Sequence, residues 1–574
     1  MTSNGYKRLG ETGRRVEDPF GNPFDSDEEQ SSSSQTDPSP FANPAFQGKS
    51  FSDFDSVAEI SDSRSEAIDL RHLDTRGKLL PDEEIDPDED SFAGFRAPQD
   101  DGLQVPTLDF DGVPMGKIRG QRLLYMTSIF VSLGVFMFGY DQGVMSGIIT
   151  ERNFVQFFDD PTRIQIGTMV AILELGALLA SLAVGTVSEK IGRKRTIILG
   201  AFVFVSGGLC QSLAPNLAIL SVGRVVSGIG VGLLSTIVPV YQSEISPSHA
   251  RGRLACIEFT GNIFGYSASV WVDYACSFFP GAISWRGPLL AQCVLGTFLL
   301  VGGFFIVESP RWLLAKDMDT EGYRVLNLLF ADSPAGTARK EFEAIKENVY
   351  QERVLTPPEK RTYREMFRTH KYRVFIACSA LMWAQLVGIN LISYYAPMVF
   401  EEAGFEGRAA LLMTGINSLI YLASTVPTWF LVDQWGRRPI FISGGIMMGF
   451  ALSFIAYIMW LQKSYTPACV AVLVVIYNAA FGYSFGPLAW LYAPEIFADS
   501  TMRSKGVSLS TATNWFFNFL VGEGSPALLE LITWRLYLIH AVFCFGAVFF
   551  VYKLYPETNG VELEDMDKLF AGEL

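Results

Sequence analysis

Twelve apolar runs, each long enough to cross a bilayer, leave this chain few choices of fold. The first six fall at about 123–149, 164–186, 196–214, 217–240, 253–275 and 287–307. The second six fall at about 374–399, 409–432, 439–461, 467–493, 506–531 and 534–554. A helix crosses a hydrocarbon core with about 20 predominantly apolar residues at 1.5 Å rise each. The spacing therefore predicts an all-α membrane protein of 12 transmembrane helices in two six-helix bundles, 115–307 and 374–555. Between them, 308–373 is charged, with charges alternating at helical spacing from Ala338 to Val349, so short surface helices are expected there. A short tail, 556–574, closes the chain.

Residues 1–114 read differently. They are rich in Asp, Glu, Ser and Pro, with four serines at 31–34 and an acidic stretch at 81–90. Such a segment buries too little apolar surface to offset its chain entropy, and disorder is expected. It reads either as a solvated tail or as a segment addressed by a regulatory kinase or trafficking partner. The net charge of −15 argues against a nucleic-acid partner, and much of the acidity lies in this tail. The first thirty residues are polar and acidic, so the first apolar helix is expected to act as the targeting signal. The seven cysteines are scattered without CxxC spacing, and the four histidines lack ligand-like spacing. No disulfide framework, metal site or cofactor is expected.

Lys and Arg set the expected orientation. The loops 190–195, 249–253 and 434–438, the central segment and the flanks at Lys117 and Lys553 are the basic side. The positive-inside rule makes that side, and both termini, cytoplasmic.

Inside the first run, FGYDQGVMSG (138–147) places Asp141 among apolar residues and glycines. An aspartate at bilayer depth costs about 2.5 to 3.5 kcal/mol even on the lenient insertion scale, so it marks a candidate functional site. Arg224 in GRVVSGIG on the fourth run is its natural counter-ion. Pairing favours the charged carboxylate, and separation favours uptake of a proton. Both side chains are expected to open onto a watery central cavity. Glu174, Asp273 and Glu523 are further intramembrane acids, read as structural pairs or cavity-lining groups.

The halves repeat. GTVSEKIGRKR (185–195) and VDQWGRRP (432–439) each place an acid three residues before Gly-Arg-Lys/Arg, giving Glu189 with Arg193 and Asp433 with Arg437. After the fourth run of each half come Glu244 with Arg251 and Glu495 with Arg503. Repeated charge clusters at helix ends suit two rocking bundles, while a role in topology alone is the simpler alternative. A single exposed pair is worth about 0 to 1 kcal/mol, so only the set could act as a latch.

These motifs, with ESPRWLL (308–314, carrying Glu308 and Arg311), QLVGIN (385–390), GPLAWLYAPEIF (486–497), NWFFNF (514–519) and PETNG (556–560), give the chain its resemblance to the fungal sugar porter family of the major facilitator superfamily, over about 120–570. The amides Gln385, Asn390, Asn514 and Asn518, with Tyr394, Tyr395 and Trp490, are the polar groups a sugar site needs. The resemblance implies that they are sugar ligands of the seventh helix, its tyrosine gate, the tenth-helix tryptophan and the eleventh-helix asparagines. It also implies proton coupling through Asp141 and Arg224. Three amide positions depart from the family: Ala384, Phe259 and Tyr421. Beside Phe259, Glu258 either faces the cavity and selects a different sugar or polyol, or pairs with a basic residue.

The expected function is secondary transport of a monosaccharide (hexose or pentose) or polyol by alternating access with proton symport. The alternatives are a passive facilitator and a non-transporting sugar sensor. Energetics permit coupling: one proton across about 100 mV supplies about 2.3 kcal/mol, against about 2.7 for a hundredfold gradient. The expected location is a multi-pass position in the plasma membrane, with a vacuolar or endosomal membrane as the alternative.

Overall fold

In the computed structural model, residues 119–245, 251–334, 336–355, 362–405, 407–497, 500–561 and 566–571 are described. The acidic tail, 1–114, lies outside them. So do the side chains of Arg251 and Arg253.

Ten described helices are both long and apolar enough to cross a membrane. They are spans 1 to 4 (Gly120–Ile148, Arg163–Ile191, Arg193–Ser212 and Leu217–Ile245), span 6 (Ile283–Gly302), spans 7 to 10 (Lys371–Tyr394, Arg408–Gln434, Arg437–Leu461 and Thr466–Glu495) and span 12 (Arg535–Leu554). Spans 5 (Arg251–Cys276) and 11 (Ser500–Ile532) are equally long but more polar. They carry Glu258, Asn262 and Asp273, and Asn514, Asn518 and Glu523, all of which turn inward. The two least apolar spans are thus those whose polar groups serve the interior. Short helices Pro310–Ala315, Asp319–Leu329, Thr337–Leu355 and Tyr363–Thr369 occupy the central segment, as the charge pattern predicts. Arg353 bonds Asp317 there at 3.1 Å and holds its carboxyl below the usual carboxylate range.

One apolar core centres on Phe204, Leu234 and Val238 of the first half and takes in Trp515 of span 11; another centres on Ile376, Phe441 and Leu488 of the second and takes in Tyr266 of span 5. Phe298, Phe305, Phe450, Val542 and Phe549 project outward, giving the bundle an apolar exterior that water would not tolerate and lipid does. Span 2 lies along span 11, and span 5 along span 8, joining the halves.

The basic ends of the halves are built alike, with bonds between the two charge motifs of each half. Arg193 and Glu244 pair at 2.7 Å, as do Arg437 and Glu495. The first charge motif therefore meets the acid of the second within each half. Arg503 donates to the Phe497 carbonyl. Glu189 is exposed, with its carbonyl accepting from Trp312, while Asp433 lies 3.5 Å from Arg437. Arg311 sits in the first turn of Pro310–Ala315.

A third limb completes each cluster. Glu308 accepts the backbone N–H groups of Arg193 and Lys194, and Glu557 accepts those of Arg437 and Arg438. Each carboxylate thereby satisfies the orphan donors at a helix N-terminus, where negative charge is favoured. Ser309 then bonds Glu244, and Thr558 bonds Glu495. Gly192 and Gly436 precede these helices at φ +95° and +86°, and a Cβ at either would strike the capping carboxylate. Arg437→Ala should destabilise the protein by about 2 to 3 kcal/mol, because it strands the Glu495 carboxylate and frees the Val432 carbonyl. Thermal unfolding of the detergent-solubilised protein checks this, and an unchanged midpoint would refute it.

Candidate functional site

The site begins with a break in span 7. Helix Lys371–Leu386 ends, Gly388 takes φ +99°, and Ile389–Tyr394 resumes. The carbonyls freed by the break are not left bare: His540 Nδ1 lies 2.8 Å from the Leu386 oxygen, and Tyr477 donates to the Val387 oxygen at 3.0 Å. On an unbroken helix, residues five apart point about 140° away from each other. Here Asn390 donates to Gln385 at 2.5 Å.

Span 11 supplies the opposing amides. Asn514 and Asn518, one turn apart, share a face. Gln385 donates to Asn514 at 2.7 Å and Asn390 to Asn518 at 2.8 Å, so the four expected amides converge. Asn514 and Asn518 accept these bonds through Oδ1, and their Nδ2 groups stay without protein acceptors. The cavity beside them, about 50 Å³, is lined by Gln385, Asn390, Tyr394, Trp490, Asn514 and Phe259 from the expected set. Ala384 and Tyr421, two of the departures from the family, also line it.

The halves meet on both sides of this cavity. Away from the basic loops, Tyr394 donates to Glu174 at 2.8 Å and accepts from Gln142 at 3.2 Å. Toward the basic loops, Phe138 packs edge-on against Trp515 and Trp490, with ring centroids 5.0 and 6.4 Å apart. Trp429 and Thr425 of span 8 bond Thr260 of span 5 on the same side, both at 2.9 Å. Contacts between the halves thus lie on both sides of the cavity.

Three expected ligands stand off the cavity. Tyr395 turns from its neighbour and donates to the Gly522 carbonyl at 2.7 Å, fastening span 7 to span 11. Asn518 reaches the site only through Asn390. Glu258 is buried, with Oε1 lacking a partner, and Phe259 takes its place in the wall. Among the described residues no basic side chain pairs with it.

Asp141 and Arg224 pair at 2.5 Å, at 1% and 2% exposure. Neither is turned to lipid, and neither lines the cavity, which corrects the expectation that both open onto it. Phe138 and Gln142 of the same helix take the cavity face, leaving Asp141 directed into the first bundle toward Arg224 and Ser227. Arg224 also donates to the Val170 carbonyl of span 2 at 2.9 Å.

Residues 127–570 match the family described as "Sugar (and other) transporter". The chain belongs to the sugar porter family of the major facilitator superfamily. This sugar porter is 33% identical over 457 residues to the "MFS-type transporter criB" of Aspergillus cristatus, covering 79% of this chain and 94% of that one. It is 31% identical over 493 residues to a "High-affinity glucose transporter" of Kluyveromyces lactis, covering 82% and 89%. Among solved structures it is similar to the proton:xylose symporter XylE bound to 6-bromo-6-deoxy-D-glucose, with TM-score 0.68, 26% identity, and coverage of 78% of this chain and 98% of that one. These relatives are transporters and not enzymes.

Sequence reasoning missed Gln142 and undervalued Glu174 in this sugar porter. Gln142 directly follows Asp141, a polar residue one turn from Phe138, and that spacing was the available signal. Glu174 gave none, because its partner Tyr394 is 220 positions away.

Proposed function

We propose that this transporter carries a monosaccharide or polyol by alternating access, with a proton moving in the same direction through Asp141 and Arg224. The observation that supports it best is the mutual bonding of Gln385, Asn390, Asn514 and Asn518, the first three lining one cavity and Asn518 bracing Asn390 from behind, with the Nδ2 groups of both span 11 amides unpaired. Sugar hydroxyls accept such donors, and Trp490 and Phe259 supply apolar faces for a sugar ring. A buried ion pair adjoining the cavity suits proton coupling, since removing its charge by protonation changes which contacts Arg224 can make. The relatives named for glucose and the xylose symporter agree with a hexose or pentose. The basic loops favour a cytoplasmic position for that end and for both termini.

The test is uptake of labelled D-glucose, D-xylose and glycerol by proteoliposomes holding the purified chain. Accumulation above equilibrium under an inward proton gradient, abolished by a protonophore, is expected. Uptake that only equilibrates makes the protein a passive facilitator, and no uptake of any sugar or polyol defeats the reading. Asn514→Ala should raise the half-saturating concentration of the transported sugar by about 5- to 150-fold, since a lost buried hydrogen bond costs about 1 to 3 kcal/mol.

A further inference from the structure

The outer gate and the ion pair share a neighbour that the transport reading does not use. Glu174 of span 2 is 1% exposed; its Oε1 accepts from Tyr394, and its Oε2 has no partner. One turn earlier on the same helix, the Val170 carbonyl holds Arg224 Nη2, and Arg224 Nε is also without a partner. Residues four apart on a helix lie on one face, about 6 Å along the axis. The guanidinium thus sits between two carboxylates, bound to Asp141 and one turn from Glu174.

We propose that Glu174 relays the protonation of Asp141 to the Tyr394 gate. This rests on the proton-coupling reading above. In this conformation Asp141 holds Arg224, and Glu174 accepts from Tyr394 through Oε1 while Oε2 stays without a partner. When a proton from the outer medium adds to the Asp141 carboxylate, the bond from Arg224 Nη1 loses its charged acceptor. The guanidinium, still tethered at Val170, turns to Glu174 Oε2. A carboxylate whose charge is shared with a guanidinium is a weaker acceptor, so the Tyr394 bond between the halves weakens. Loss of the proton from Asp141 returns Arg224 and restores the latch.

The titratable and charged groups facing this pair come from five spans. They are Tyr140 beside Asp141 on span 1, Arg224 on span 4, Cys293 on span 6, Tyr394 and Tyr395 on span 7, and Glu523 beyond Tyr395 on span 11. Arg224 is the cation among them, which makes it the group both acids share.

The test needs no substrate. Paired probes, carried on unnatural amino acids at Gln156 and Ser464, report the distance between the halves at the outer end; both positions are exposed. In the purified full chain the population with wide separation is expected to grow severalfold from pH 8 to pH 5.5. In Glu174→Gln, where Tyr394 keeps a neutral acceptor but Arg224 gains no second carboxylate, that growth should fall by at least half. Tyr394→Phe should be wide at both pH values. A wild-type pH response retained in Glu174→Gln overturns the proposal. So does a response of wild-type size in Tyr394→Phe, which decides the matter should Glu174→Gln fail to fold. Failures stay separable: sugar accumulation with an unaltered Glu174→Gln response refutes the relay alone. A Glu174-dependent response in a protein that moves no sugar refutes transport alone.

Discussion

Asp141→Asn is expected to abolish accumulation of sugar above equilibrium while sparing exchange of labelled for unlabelled sugar. The two assays separate because they ask different things of the ion pair. Accumulation requires a group that gains and loses a proton in each cycle, and asparagine does neither. Exchange requires only that the loaded transporter reorient, and a neutral amide of the same shape resembles the protonated carboxyl. Asparagine also leaves Arg224 with a neutral acceptor in place of the carboxylate at 2.5 Å, so the pair is weakened without a cavity. Loss of a drive worth about 2.3 kcal/mol per proton at 100 mV converts a gradient of roughly fiftyfold into none. Equal accumulation by Asp141→Asn and wild type would remove Asp141 from the coupling mechanism. Arg224→Ala, by contrast, should yield little folded protein, because it leaves an unpaired carboxylate fully buried, a loss of about 3 to 5 kcal/mol.

The second large effect concerns the crossing of spans 1 and 5. A Cβ at Gly139 would lie 1.8 Å from the backbone oxygen of Asn262, and one at Gly265 would lie 2.0 Å from that of Phe136. No rotamer relieves a clash with a neighbouring helix backbone, so the helices would have to part along the whole crossing. Close approach of this kind is what small residues permit in membrane bundles, where helices associate by packing and not by exclusion of water. Gly139→Leu is expected to cost about 3 kcal/mol or more and to leave little monodisperse protein after extraction. Gly261→Ala is the control: a Cβ there would meet nothing within 4 Å, and normal yield and melting temperature are expected. A normal yield of Gly139→Leu would show that the two helices separate more easily than their contact suggests.

Where groups are close in sequence, or signalled by polarity in an apolar run, they could be read in advance. Asp141, Arg224 and the four amides belong here, because few residues are more conspicuous than a carboxylate or carboxamide at bilayer depth. The resemblance supplied their roles, and the structure brings the amides together. Side-chain direction was less legible. Tyr394 and Tyr395 are neighbours in one motif, yet one lines the cavity and the other fastens span 11, a divergence fixed by the Gly388 break. Partners far apart along the chain were the least legible. Glu308 and Glu557 cap helices that begin 115 and 120 positions earlier, and nothing local marks them as a matched pair. For the same reason the bonds from Arg193 to Glu244 and from Arg437 to Glu495, 51 and 58 positions apart, went unread.

The two matched clusters at the basic end have a consequence for how the chain could be cut. Each half closes its own clamp with an acid that follows its own sixth span: Glu308 in the first and Glu557 in the second. Two separately expressed polypeptides, one ending beyond Ser309 and the other carrying Glu557 and Thr558, would each retain these bonds, so the fastening itself does not depend on continuity of the peptide chain between the halves.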